Sequence, residues 1–322
     1  MNFKDVYGEL KRFDEEYIPF PPFIAAANSI EANIAQYREA GLAQHLLVLG
    51  ESGTGKSSLC RWVGEKYPRS VLLDRDLVPS LIVAVPPAAT IASVAEAMLA
   101  RLGDPSPSTG SISAKTARVI TLCRACRVEV VLFDEAQHIH DRGRVATHYM
   151  VGDWLKNLID EMGVPTVFLG LPRLENLLQV NEQLRRRFSR RLRLALGQSD
   201  TETVDTECLE LFVSLGGCLP LPISKGDHTW SELGRRLFYA SDGRVAYIKR
   251  LLAGALQHAM ETEASQIGPA QLERVFTEEI WWEGIGELNP FNPAFVFRRL
   301  DRGNEPFERG SYKTSTRGKS VC

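Results

Sequence analysis

The chain has 322 residues, 44% of them apolar and 24% charged, which suits one large packed domain or two small ones. A formal charge of −2 excludes a global field that draws the whole protein to nucleic acid, so any such surface has to be local. The polar opening, MNFKDVYGELKRFDEE, does not read as a secretory leader. The most apolar stretch, 81–99, is broken by Pro86-Pro87 and Glu96 and is not expected to cross a membrane; six scattered cysteines fit a reduced, cytoplasmic setting.

Residues 1–24 read as an N-terminal arm, polar at first and then Tyr17-Ile-Pro-Phe-Pro-Pro-Phe23, which packs on a neighbouring surface or covers a nucleotide base. Residues 29–40 have helical spacing, with Ser29 as a cap and Gly41 as the stop. The apolar run 46–49 predicts a strand. The loop after it, Gly50-Glu51-Ser52-Gly53-Thr54-Gly55-Lys56-Ser57-Ser58, fits G-x-x-x-x-G-K-[ST] at every fixed position. Residues 59–63 then read as a helix. Strand, glycine loop and helix are the context in which successive N–H groups turn toward phosphate oxygens, aided by the positive end of the helix. Lys56 is expected to reach the β- and γ-phosphates of ATP and Ser57 to offer its hydroxyl to Mg²⁺.

Residues 71–73 and 81–85 are strand candidates separated by the charged turn Asp74-Arg75-Asp76, and Pro86-Pro87 stops the second. Residues 90–102 form an amphipathic helix, and 103–110 a loop by composition. Ser113 is the expected cap of a helix bearing Lys115, Thr116 and Arg118 early and Cys123 and Cys126 late; this C-x-x-C lacks the second pair a zinc site needs. That helix leads to 128–133 (VEVVLF), an apolar run typical of a parallel strand buried on both faces. It ends in Asp134-Glu135: Asp134 for the Mg²⁺ shell, Glu135 to orient or deprotonate the attacking water. His138, His140 and Asp141 come next without a third nearby histidine, so metal binding is not expected there.

A helix over 151–162, a buried strand over 164–169, the turn Gly170-Leu171-Pro172 and a helix over 173–180 come next. The run 184–193 then carries six arginines and no acid, and Leu192, Leu194 and Leu196 alternate as the start of a strand. From 203 to 286 the pattern is helical: 204–215, 230–241, 243–261 and 269–282, with Asp242-Gly243-Arg244 opening the third helix. The end of the chain, 287–322, is rich in Pro, Gly, Arg and Ser, with four Phe in no period, and reads as a flexible partner-binding tail. The resulting division is an arm over 1–24, an α/β nucleotide-binding subdomain over 25–200, a helical lid over 201–286 and a tail over 287–322.

This arrangement predicts an α/β fold, a P-loop NTPase with a parallel sheet core and its ligand at the strand carboxyl ends. The insertion strand and the helical lid point to the AAA+ branch. In that branch nucleotide sits between subunits, and an arginine from the neighbour stabilises charge on the γ-phosphate. Arg187, just before Phe188, is the first candidate and Arg186 the second; Arg244 is placed to reach the nucleotide from its own subunit.

The phosphate loop, the Pro-Pro stop, DEAQHI, the G-L-P turn, NEQLRRRF and the N-P-F segment together resemble the TniB/TnsC family of AAA+ transposition regulators over roughly 15–310. The resemblance implies an ATP- and Mg²⁺-dependent ATPase that assembles on duplex DNA as a ring or helical filament. It also implies a link between a target-site selector and a transposase. By the same resemblance Lys115, Thr116 and Arg118 become candidates for a sequence-independent grip on DNA phosphates. One departure stands out: where many AAA+ proteins carry Asn, Thr or Ser just after the fourth strand, this chain has Gly170-Leu171-Pro172, which predicts slow, regulatory hydrolysis. The alternatives are a replication initiator or helicase loader, for which no sequence-reading domain is visible, and a signalling NTPase that scaffolds proteins. A small-molecule kinase is disfavoured by the helical lid and arginine run.

Overall fold

The computed structural model describes residues 3–15, 20–87, 89–139, 145–197 and 203–308. His140, Asp141, most of the Tyr17-to-Phe20 stretch and the last residues of the chain lie outside them.

The chain divides into two compact units. The α/β unit comprises 16–201 together with Arg244–Ala246. It opens with α2 (Pro21–Ala40), after α1 (Phe3–Glu15) of the other unit. β1 (Leu46–Leu49) and α3 (Lys56–Lys66) come next, then a small hairpin of β2 (Ser70–Val71) and β3 (Asp76–Leu77). β4 (Ser80–Ala84), α4 (Ile91–Leu102), α5 (Ile112–Ala125) and β5 (Val130–Asp134) lead to α6 (Val145–Met162) and β6 (Thr166–Gly170). Two short helices, α7 (Glu175–Val180) and α8 (Glu182–Arg187), precede β7 (Arg190–Arg193).

Among the described residues the sheet has five strands in the order β4-β5-β6-β1-β7, all parallel. β1 is apolar throughout, β5 as far as Phe133 and β6 after Thr166, because helices cover both sheet faces; Leu46, Leu47, Val48, Val130, Val131, Leu132 and Phe168 have 0% exposure. Register aligns the carboxyl ends: Leu49 pairs with Gly170 on one side and Arg193 on the other, and Ala84 pairs with Asp134. Phe188 stacks on Phe168 with ring centroids 4.4 Å apart and planes 11° from parallel, which anchors the end of α8 to the sheet. Burial drives the His45 imidazole down to about 4, with Arg187 adding to the effect and Asp160 opposing it. Neutral His45 accepts the Thr166 N–H at Nδ1, at 3.2 Å.

Several boundaries differ from the sequence expectation. α2 starts eight residues before Ser29, because Pro21 and Pro22 occupy first-turn positions that need no N–H donor. Ser29 is therefore buried inside the helix and donates to Ala25 O. Ser111, not Ser113, caps α5, accepting the Ala114 N–H at 3.3 Å. Residues 71–73 do not join the sheet: the Asp74-Arg75 turn lies within the hairpin, closed by Leu72 N–H to Arg75 O, and Leu73 is fully exposed.

The second unit comprises 1–15, 202–243 and 247–322. Its helices are α1, α9 (Val204–Gly216), α10 (Trp230–Ser241), most of α11 (Val245–Glu261) and α12 (Pro269–Val275), the last followed by a π turn over Phe276–Ile280. The expectation of a flexible tail from residue 287 is corrected for 287–308, which pack onto this unit. Phe291 and Phe307 are each 2% exposed, and burying such rings contributes about 1.5–3 kcal/mol apiece. Arg236 of α10, 3% exposed, donates to Pro290 O and Asn292 O while pairing with Glu232. Asn289 satisfies its buried amide on Glu273 O and Gly284 O. Composition hid this because the segment is held by polar groups on other elements, not by a period of its own.

Candidate nucleotide site

The loop after β1 is shaped by its glycines. Gly53 and Gly55 have φ of 82° and 98°, in the left-handed region that side chains with a Cβ rarely enter. Gly50 donates its N–H to Gly170 O at 3.0 Å, which ties the loop to the neighbouring strand end. Thr54, buried, donates to Glu51 O at 2.9 Å. Gly53 accepts the Ala246 N–H at 2.9 Å, and a Cβ on Gly53 would sit 2.9 Å from the Ala246 Cβ. Gly55 is the N-cap of α3 and offers no side chain, so the first-turn N–H groups carry no side-chain cap.

Lys56 is 5% exposed, and its Nζ donates to Gly50 O and Glu51 O, each at 2.8 Å. Burial lowers its pKa; Glu135, Asp134 and Glu51 oppose the shift and Arg244 adds to it. Ser57 donates its hydroxyl to Asp134 Oδ2 at 2.8 Å, although the two lie 77 positions apart. Asp134 Oδ1 accepts the Glu135 N–H at 2.9 Å. Glu135 has φ of 55°, an uncommon conformation for a residue with a side chain, of the kind that gathers at functional sites. Phe20 and Phe23 flank Gly55, and Phe23 packs edge-on against Trp62 of α3.

These residues fit a nucleotide with a divalent cation. The oxygen pair Ser57–Asp134 is a hard-ligand set of the kind Mg²⁺ takes, the loop amides and Lys56 are donors for phosphate, and Glu135 stands beside them. Among the described residues no cluster of three or more His, Cys, Asp or Glu forms a separate metal site. Cys123 and Cys126 are free and buried.

The outlying candidates are placed differently. Arg187 forks onto both Asp160 oxygens at 2.6 Å and also reaches Gln183 O. Burial alone would raise the Asp160 carboxyl, but Arg187 and Lys156 outweigh it and hold it below its ordinary range. Arg186 is exposed and pairs with Glu182 one turn away at 2.7 Å. Arg244 is grouped with the α/β unit.

The expected DNA grip is corrected for Lys115, which is 6% exposed and bonded to Glu96 of α4. Thr116 donates to Ile112 O and accepts from Trp154 Nε1 at 3.1 Å. Arg118 binds Ser106 O and Thr109 O and pairs with Asp104 at 3.2 Å, which staples the 103–110 loop.

Sequence reasoning gave no role to Gln137. It is 1% exposed, its Nε2 donates to Glu135 Oε2, and its Oε1 accepts the Leu171 N–H at 3.1 Å. The available signal was an amide side chain two places after Glu135, within the run DEAQHI.

The sheet order, the phosphate loop after β1 and the acidic pair after β5 define an AAA+ ATPase. Solved structures share the fold. The Aeropyrum pernix ORC1 protein in complex with DNA matches with a TM-score of 0.61 at 15% identity, over 83% of this chain and 67% of that one. The Aeropyrum pernix ORC2 protein in its ADPNP-ADP complexes gives 0.59 at 14%, over 83% and 70%. Cdc6p from Pyrobaculum aerophilum gives 0.58 at 13%, over 82% and 69%. Among curated proteins none matches at a significant level. The family model described as bacterial TniB protein matches residues 12–194, more than half of the chain, and the chain belongs to that family. No helix among the described residues is long and apolar enough to cross a membrane.

Proposed function

We propose that this TniB-family ATPase binds ATP with Mg²⁺, assembles with copies of itself on duplex DNA, and links a target-site selector to a transposase in the cytoplasm. The observation that carries the nucleotide part is the Ser57–Asp134 contact beside Lys56 and Glu135. The family carries the transposition part, and the ORC1 neighbour, solved with DNA, supports the DNA part.

Gly50, Glu51, Ser52, Gly53, Thr54, Gly55, Lys56, Ser57 and Ser58 form the phosphate cradle. Lys56 leaves the two loop carbonyls for phosphate oxygens, and Ser57 and Asp134 hold the cation. Bound Mg²⁺ supplies charge neutralisation at the phosphates. Glu135 orients the attacking water and accepts its proton as the γ-phosphoryl is transferred to water and ADP leaves. Phe20 and Phe23 lie beside Gly55 and suit the base. Arg187 is the trans arginine, with Arg186 as second choice; its ion pair with half-exposed Asp160 costs little to exchange, about 0–1 kcal/mol. Arg244 acts from within the subunit. Of the three α5 residues, Arg118 keeps a third of its side chain exposed and is the one left to meet DNA phosphate.

Negative-stain electron microscopy with a slowly hydrolysed ATP analogue, with and without random-sequence duplex DNA, tests the reading. Rings or filaments that need both ligands support it, and Arg187→Ala should then lower turnover about 10³-fold in the assembled state with nucleotide affinity unchanged. Monomers under every condition would remove both the assembly and the trans arginine.

A further inference from the structure

The end of β6 carries no polar side chain, and the structure provides a physical reason. A Cβ on Gly170 would lie 2.7 Å from Gln137 Oε1, 3.3 Å from the Gln137 N and 2.9 Å from Leu174 Cδ2. The space that Asn, Thr or Ser would fill from the strand end is taken by the side chain of Gln137. That side chain is buried and bonded at both ends, to the Leu171 N–H on one side and to the Glu135 carboxylate on the other. Gly170 O in turn accepts the Gly50 N–H at 3.0 Å, so the same strand end also holds the first residue of the phosphate loop.

We infer that Gln137 is a positioning residue that sets the orientation of Glu135 from the end of β6, in place of a side chain at position 170. The inference rests on the reading of Glu135 as the group that handles the attacking water. Glu135 needs such support: its φ of 55° is not a conformation its own side chain favours, and the backbone bond to Asp134 Oδ1 fixes the peptide but not the carboxylate. The Gln137 amide donates to the carboxylate directly, and His138 Nε2 stands farther off, 3.9 Å from the same oxygen. An amide suits the task because it carries donors and an acceptor on one rigid group: the oxygen takes a backbone N–H while the nitrogen faces the carboxylate. The relay also makes Glu135 sensitive to any shift of β6 or of the Gly170–Leu171 turn.

The test uses the full-length protein under the conditions that give turnover, with three kinds of readout. First, Glu135→Gln must abolish turnover while a nucleotide analogue still binds. Wild-type turnover in that variant overturns the reading of Glu135 and leaves nothing for Gln137 to position. Second, with that control in hand, Gln137→Met, which keeps the volume, should lower kcat about 10- to 100-fold with KM within twofold of wild type. In the nucleotide-free protein the Leu171 amide should exchange its hydrogen faster. Third, Gly170→Ser alone should lower kcat, because its Cβ meets Gln137 and Leu174. In a Gln137→Ala background it should raise kcat, because the hydroxyl then occupies the vacated space. Unchanged kcat in Gln137→Met, with Glu135→Gln inactive, overturns the inference alone. So does a Gly170→Ser effect of the same sign and size in both backgrounds. If Gln137→Ala melts below the assay temperature, Gln137→Met decides.

Discussion

Two helices of the α/β unit begin alike and end up with different tasks. α3 starts with Lys56-Ser57, α5 carries Lys115-Thr116 in its first turns, and either pair reads as a cation and a hydroxyl ready for phosphate. At α3 the cap is a glycine with no side chain, and Lys56 rests on two carbonyls that phosphate oxygens can outbid. At α5 the cap is Ser111, the hydroxyl of Thr116 turns back to Ile112 O, and Lys115 is neutralised by Glu96. A cation near a helix start is therefore not a phosphate site; an uncapped glycine loop and a lysine resting on carbonyls instead of a carboxylate make one. His45 is a third solution to burying a basic group: it stays neutral and accepts a backbone N–H.

The sharpest break of this comparison is Lys56→Ala against Lys115→Met. Lys56→Ala should weaken ATP binding about 100-fold or more, as expected when a charge-assisted phosphate contact is lost, read by fluorescent-nucleotide titration. Retained affinity would mean the loop does not hold phosphate. For His45, the folded value of about 4 lies below the unfolded 6.5. The unfolded chain therefore takes up a proton that the folded chain refuses. Stability contributed here is complete above pH 6.5 and falls as pH drops toward 4, by about 3 kcal/mol in all. Urea unfolding across that range should show the slope, and His45→Asn should flatten it; an unchanged slope would contradict a neutral buried imidazole. Lys115→Met should leave nucleotide and DNA affinity within twofold and shift stability by about 1 kcal/mol, because Glu96 is a third exposed and water can take over. A large loss of DNA affinity with the fold intact would restore Lys115 as a phosphate contact. An effect of the same size, on stability alone, belongs to the cap: Ser111→Ala should cost about 1 kcal/mol without touching nucleotide affinity, read by urea unfolding.

Much of the site was legible because its demands are local. The spacing Gly50-x-x-Gly53-x-Gly55-Lys56 specifies left-handed backbone and a helix start within one short segment, and the apolar run before Asp134-Glu135 specifies a strand covered on both faces. The setting of Lys115 was not legible, for the opposite reason. Nothing near Lys115 in the chain announces Glu96, which faces it from another helix. The packing of 287–308 was hidden likewise, since Arg236 reaches this segment from α10 and its own Asn289 donates to Glu273 O.

The sequence by itself determined the AAA+ phosphate loop, the acidic strand end and the family, because glycine positions, apolar runs and motif spacing act through backbone sterics and burial of neighbouring residues. Only the tertiary structure decided that Ser57 meets Asp134, that Lys115 is spent on Glu96, and that Gln137 fills the space beside Gly170 and holds Glu135. Those pairings depend on strand order and register, which bring distant side chains within hydrogen-bond reach and leave no mark on the local pattern of either partner.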